Sequence, residues 1–224
     1  MSANLTSGKV EVTALRVIIQ DKIKQAIWDG NLKPGDRIVE TQLAREFGVS
    51  QAPVREALRE LEQKGLIVSH PRRGSFVAKP SGKTIEEFYS LRVTLEQFAV
   101  RLAVPLLTEE KLEELQRLVD GMRKLKGRDI VSELVRYDQL FHETLVGFSN
   151  HALLAKTWAN LQPVQWTHIT IARSLINDPQ LVARSHQELI DVLRTRKVQA
   201  IEKKLEEHIL RSMQDMAAQF GDSQ

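Results

Sequence analysis

The chain has 224 residues, 42% of them hydrophobic, and a net charge of +3, a balance that suits one large or two smaller globular domains. It contains no cysteine, so disulfides and thiolate metal ligands are excluded. Its start, MSANLTSGKVEVT, lacks the apolar core of a signal peptide, and charges interrupt every run before the ~18 apolar residues of a membrane span; a cytoplasmic protein without a membrane partner is expected. The charge is unevenly spread. Residues 1–83 hold 14 Lys and Arg against 9 Asp and Glu, and the remainder 18 against 20, which fits a nucleic-acid-binding head on a near-neutral body.

From Val12 to Trp28, Leu15, Ile18, Ile19, Ile23, Ala26 and Ile27 recur at intervals of three and four, the period of an amphipathic helix, and Asp29-Gly30 is its stop signal. LKPGDRI then turns the chain. A short helix spans about Glu40 to Phe47, and after Gly48 the residue Ser50 is placed to cap the next one. Pro53 falls in that helix's first turn, where its missing N–H costs nothing. Val54, Ala57, Leu58 and Leu61 form its buried stripe, leaving Gln51, Arg55 and Arg59 along an outer face at i, i+4 and i+8. Gly65 closes it. The β-rich runs Leu66-Ile67-Val68 and Phe76-Val77-Ala78 flank the polar turn His70-Pro71-Arg72-Arg73-Gly74, so a hairpin with arginines at its tip is predicted.

Lys79-Pro80-Ser81-Gly82-Lys83 has linker composition, and Thr84 with Glu87 matches a capping box. Residues 1–79 and 84–224 are therefore expected to be separate domains joined at 80–83. Beyond Thr84 the pattern is helical in about six segments: 84–106, 108–126, 129–149, 151–176, 179–196 and 198–219. The expected fold is mainly α, an N-terminal winged helix-turn-helix with a small β-hairpin followed by a C-terminal antiparallel all-helical bundle.

Two helices joined by a tight turn, the second offering polar residues from its N-terminal end, form a helix-turn-helix; the hairpin makes it a winged one. A helix fits the major groove, where Gln pairs with adenine and Arg with guanine or a phosphate. Arg72 and Arg73 at the hairpin tip would then lie on the backbone or in the minor groove, with Gly74 allowing close approach. The stretch LKPGDRIVETQLAREFGVSQAPVREALRELEQKGLIVSHPRRGSFVA resembles the DNA-binding domain of GntR-type bacterial transcription regulators across residues 12–80. That resemblance implies recognition-helix positions for Ser50, Gln51, Ala52 and Arg55, and wing positions for Arg72, Arg73 and Gly74. Thr41 stands where some members have a DNA-contacting arginine, and Gln51 replaces an arginine common just after the capping residue, so the resemblance implies the role but not the operator sequence.

In VRYDQLFHETLV, Asp138 and His142 are four residues apart and share one helix face. His186 and His208 fall on the last two helices. A carboxylate and three imidazoles converging in a bundle would bind a divalent transition metal such as Zn²⁺ or Ni²⁺, with Mn²⁺ also acceptable, and would leave positions for water or a ligand. The order D-x-x-x-H, H, H is similar to the FCD-type effector domain of the FadR subgroup, over residues 84–220. The resemblance implies metal binding at these four residues, a small carboxylate effector in contact with the metal, and an effector contact for Arg92. Trp158 and Trp166 read as core or pocket wall, His151 and His168 fall outside the family pattern, and QPVQWTHITIAR is where effector specificity is expected.

A sequence-specific, effector-controlled transcription regulator acting as a homodimer on a duplex operator is thus expected, rather than an enzyme. Two rivals stay open at this stage. A metal-dependent hydrolase would use the same cluster to activate water, although His142-Glu143 continues to Val146 where H-E-x-x-H needs its second histidine. A metal-stabilised scaffold with a protein-binding wing would have less use for adjacent arginines.

Overall fold

The structure is a computed structural model, and it describes residues 7–28, 31–79, 81–127, 130–161 and 178–220. The expected stop signal at Asp29-Gly30 and the stretch QPVQWTHITIAR, with Trp166 and His168, lie outside the described residues. The chain divides into two compact units, Met1–Pro80 and Ser81–Gln224. Among the described residues no helix is long and apolar enough to cross a membrane.

The first unit runs α1 (Ser7–Trp28), β1 (Arg37–Ile38), α2 (Glu40–Glu46), α3 (Gln51–Gln63), β2 (Ile67–His70) and β3 (Gly74–Val77). Val54, Ala57, Leu58 and Leu61 of α3 are buried, as the stripe predicts, and meet Ile19 and Ile23 of α1 in one core. Above this core, Glu60 holds α1 to α3 by accepting from Gln20 at 2.5 Å and pairing with Arg16 at 2.6 Å. Ser50 has the extended backbone of an N-cap, but its hydroxyl makes no capping bond. The helix therefore starts without the side-chain cap expected there.

The sheet holds three antiparallel strands in the order β1-β3-β2, one more than the hairpin predicts. Gly35, at φ 90°, turns the chain so that its N–H reaches Val77 O at 2.9 Å and Arg37 lies opposite Phe76. Two residues are too few for a period to show in sequence. The wing pairs Ile67 with Val77 and His70 with Gly74, a tighter and longer hairpin than the runs 66–68 and 76–78 suggest. Arg72 (φ 64°) and Gly74 (φ 95°) both turn left-handed at its tip, which glycine does freely and arginine only with strain.

The second unit comprises α4 (Gly82–Ala103) with a short 3-10 turn (Val104–Leu106), α5 (Glu109–Lys124), α6 (Ile130–Gly147), α7 (Ala152–Asn160), α8 (Pro179–Arg194) and α9 (Val198–Phe220). The cap of α4 is Ser81, whose hydroxyl accepts from Thr84 N–H at 3.1 Å. The capping-box reading of Thr84 is corrected accordingly: Thr84 is inside the first turn, and the helix begins within the stretch of linker composition. Thr108, His151 and Asp178 cap α5, α7 and α8 with their side chains. His151, outside the expected metal pattern, thus has a structural use.

Tyr89, Leu115, Phe141, Ile190 and Leu205 bring α4, α5, α6, α8 and α9 into one core. The α5–α6 seam is tight at Gly121, where an added Cβ would stand 2.4 Å from Tyr137 Cε1. Gly121→Ala is expected to lower the Tm, because overpacking costs about 1–3 kcal/mol and outweighs the gain of about 1 kcal/mol in helix propensity. Gly147→Ala, where nothing lies within 4 Å, is the control and should be neutral or stabilising by calorimetry. Equal rises for both would show that the seam gives way freely.

Candidate metal centre and nucleic-acid interface

The 3.6-residue period of α6 puts Asp138 and His142 on its buried face, with Phe141 beside them. His186 comes from α8 and His208 from α9. Each of the four offers one ligand atom, and these atoms all lie within 4.8 Å of one another. Phe141 packs edge-on against both His142 and His186, at 5.6 and 4.7 Å between ring centroids, which fixes the two imidazoles laterally.

The backs of the rings decide which nitrogen each presents. His186 Nδ1 lies 2.8 Å from Val182 O, and a carbonyl only accepts, so Nδ1 carries the proton and Nε2 bears the lone pair. His142 Nδ1 lies 2.6 Å from Glu96 Oε2. Burial would raise the Glu96 carboxyl, but His142 and Arg92 outweigh it and hold the group down to about 2. Glu96 is therefore ionised and His142 Nδ1–H donates to it. His142 Nε2 in turn faces His208 Nε2 at 3.3 Å. Burial foremost, then the neighbouring His186 and His142, push His208 well below its ordinary range, so it is neutral and free to ligate.

Lone pairs thus point at one spot with little between them to satisfy them. His186 Nε2 lies 3.2 Å from Asp138 Oδ1, yet His186 Nε2 and Asp138 Oδ2 are buried without a hydrogen-bond partner. Burial favours a neutral Asp138, but a hydrogen bond from His186 and the charges of His142, His186 and Arg92 hold its carboxyl far below the usual range. The carboxylate thus needs positive charge from its neighbours, and a neutral His186 would set two buried acceptors facing each other at a cost. A divalent cation removes that cost, and a donor set of three imidazoles and one carboxylate is suited to one. The residues fit a metal.

The sequence reading located these four residues but missed Glu96. Arg92 is buried and donates from Nε to Glu96 Oε1 at 2.7 Å, and Trp158 Nε1 of α7 donates to the same oxygen at 2.9 Å. Arg92 reaches the cluster through Glu96. The i, i+4 spacing of Arg92 and Glu96 was a usable signal, although it ordinarily marks a solvated pair. Trp158 is a buried core residue, as expected, with a polar attachment added.

In the head, Ser50, Gln51, Ala52, Arg55 and Arg59 are exposed along the start and outer face of α3, and Arg72, Arg73 and Gly74 at the wing tip. Arg55 Nε pairs with Glu40 Oε2 at 3.2 Å, and Arg59 with Glu56 at 2.9 Å. A further cation was missed. Arg37 on β1 is exposed, and its guanidinium stands 3.5–3.6 Å from where a Cβ on Gly74 would be, so it joins the wing arginines. Strand β1 brings it there, which is why the sequence pattern did not show it.

Comparison with known proteins matches residues 15–77 to "Bacterial regulatory proteins, gntR family" and residues 87–211 to the FCD domain. The chain belongs to the gntR family and carries an FCD domain. An uncharacterised HTH-type transcriptional regulator of Bacillus subtilis, YdhC, is 40% identical over 132 residues, covering 58% of this chain and 59% of YdhC. That match spans less than two thirds of YdhC's length. The gluconate operon transcriptional repressor of Bacillus licheniformis is 29% identical over 190 residues, covering 82% of this chain and 76% of the repressor. The Escherichia coli McbR/YncC structure shares the fold, with a TM-score of 0.67 at 23% identity, covering 92% of this chain and 98% of that one. These relatives are named as transcription regulators, not enzymes. The hydrolase reading gives way to these matches, and Val146, where H-E-x-x-H needs its second histidine, is a buried core residue of the FCD domain.

Proposed function

We propose that this chain is a cytoplasmic, sequence-specific DNA-binding transcription regulator whose operator affinity is set by a small organic acid bound at a divalent metal in the FCD domain. The observation that carries the metal part is the convergence of one ligand atom each from Asp138, His142, His186 and His208, with His186 Nε2 and Asp138 Oδ2 buried there and unpartnered. Zn²⁺ and Ni²⁺ suit the donors best, with Mn²⁺ acceptable.

Charge balance favours an anionic effector. Arg92 offsets one of the two buried carboxylates, Glu96 and Asp138, so the cluster is left with one negative charge. A divalent ion turns this into one positive charge, and a carboxylate restores neutrality where unbalanced buried charge is costly. When bound, the metal supplies a Lewis-acid site for that carboxylate. The protein contributes the orientation: Glu96 and Val182 O hold the His142 and His186 rings, and Arg92 lies beside the cluster as a second cationic partner for the effector. The gluconate operon repressor's name is in keeping with an organic acid.

In the head, Gln51 and Arg55, with Ser50, Ala52 and Arg59 around them, would enter the major groove, while Arg72, Arg73 and Gly74 brace the flanking backbone. Two copies would read two half-sites of a near-palindromic operator. Dimer formation through the helical unit is supported by an exposed ridge on α4 and the turn after it, Leu91, Phe98 and Leu106. Glu87 precedes that ridge and Arg101 lies within it, so an antiparallel contact between two copies brings opposite charges together. Effector binding acts by favouring one arrangement of the heads over another.

The test starts from operator selection out of a random duplex library with purified, Zn²⁺-loaded protein. Operator affinity is then titrated with acetate, lactate, citrate and gluconate. A shift with at least one acid that disappears in a His142→Ala, His186→Ala variant is the expected result. Selection of no sequence would sink the DNA-binding reading, and operator affinity indifferent to every acid would sink the effector reading.

A further inference from the structure

Behind the metal ligands lies a carboxylate that no ligand motif contains. Glu96 is fully buried on α4 and takes three donors on two oxygens: His142 Nδ1–H of α6 on Oε2, and Arg92 Nε–H with Trp158 Nε1–H of α7 on Oε1. Every direction around the carboxylate that these groups use is a donor direction, so no neutral amide can replace it without a conflict. We propose that Glu96 is the positioning residue of the metal centre: it selects the Nδ1–H form of His142, so that Nε2 is bare toward Asp138, His186 and His208, and it clamps Arg92 and Trp158 to the same point. This rests on the metal reading above and adds the residue that makes His142 a ligand.

The chemistry of a glutamine at this place makes the inference sharp. Glutamine offers one oxygen and one NH₂ group. If the NH₂ faces His142, that ring must accept at Nδ1 and carry its proton on Nε2, where it blocks coordination. If the NH₂ faces the other way, it meets the Arg92 and Trp158 donors. The first arrangement keeps two donors satisfied and sacrifices one ligand, so it should prevail. The clamp on Arg92 also means that its reach toward an effector is set by Glu96 rather than by its own rotamers.

The experiment compares wild type, Glu96→Gln and Trp158→Phe. Zn²⁺ affinity is measured by chelator competition, and histidine tautomers of ¹⁵N-labelled protein are read by long-range ¹H–¹⁵N correlation, with His142 assigned from a His142→Ala variant. Glu96→Gln is expected to lose about 10- to 100-fold in Zn²⁺ affinity, the range for removing a group that orients a ligand. In the metal-free protein its His142 should shift from Nδ1–H to Nε2–H, a change that a merely structural role would not produce. Trp158→Phe, which leaves the Glu96–His142 bond in place, should retain the wild-type tautomer. Wild-type protein that takes up no Zn²⁺ overturns the metal reading itself. Wild type that binds while Glu96→Gln binds equally well, with an unchanged tautomer, overturns this inference alone. Should Glu96→Gln not fold, the wild-type spectrum decides: metal on His142 Nε2 with Nδ1 protonated upholds the inference, and metal on Nδ1 overturns it.

Discussion

Stripping the metal from the loaded protein lowers the Tm of the helical unit by roughly 8–16 °C. A ligand held at 1,000 times its Kd stabilises the native state by about 4 kcal/mol, and each kcal/mol moves the Tm of a domain of this size by about 2–4 °C. The metal-free state lacks this term and retains His186 Nε2 and Asp138 Oδ2 buried without partners, at about 1–3 kcal/mol for each unsatisfied group. The sign follows: metal raises stability and a chelator lowers it. Differential scanning calorimetry with and without chelator, after loading with Zn²⁺, Ni²⁺ or Mn²⁺, is the check. The His142→Ala, His186→Ala variant should be indifferent to both additions. A wild-type transition that none of the three metals moves would remove the physical basis of the effector site.

Arg55→Ala weakens operator binding by roughly 5- to 150-fold, the equivalent of the 1–3 kcal/mol carried by one good base contact. Its cost to the fold is small. Arg55 is about half exposed, its partner Glu40 about a third, and such pairs contribute about 0–1 kcal/mol. Electrophoretic shift or anisotropy on the selected operator, beside a scrambled duplex, tests the assignment. The loss should fall on the operator and spare the scrambled sequence. Arg72→Ala and Arg73→Ala should behave differently, weakening both duplexes alike and reducing the salt slope by about 0.9 for each phosphate no longer neutralised. Full operator affinity in Arg55→Ala would exclude α3 as the reading helix.

Long periodic segments were legible because burial repeats every three or four residues. The α3 stripe of Val54, Ala57, Leu58 and Leu61 and the helices after Thr84 carry that signal, and the shared face of Asp138 and His142 was visible for the same reason. What stayed hidden depends on contacts distant in sequence or on competition between local rules. Strand β1 exists through its pairing with β3, not through a pattern of its own. Ser81 and Thr84 both suit an N-cap, and packing of the residues after them, beginning with Ile85, places the start at Gly82. Glu96 is read locally as the solvated partner of Arg92. Only tertiary packing sets it at zero exposure against His142 and Trp158.

The arginines of the head differ in one respect that bears on how a duplex would be met. On α3, Arg55 and Arg59 are already occupied by Glu40 and Glu56, whereas Arg37, Arg72 and Arg73 at the wing make no ion pair among the described residues. Free wing cations act at a distance, while the paired helix cations must exchange a carboxylate for a base or a phosphate at contact. Encounter and inspection are thereby assigned to different elements: the wing would capture any duplex, and α3 would commit only where the groove repays the exchange. Such a division lets the protein scan non-cognate sequence without being trapped by its own reading helix.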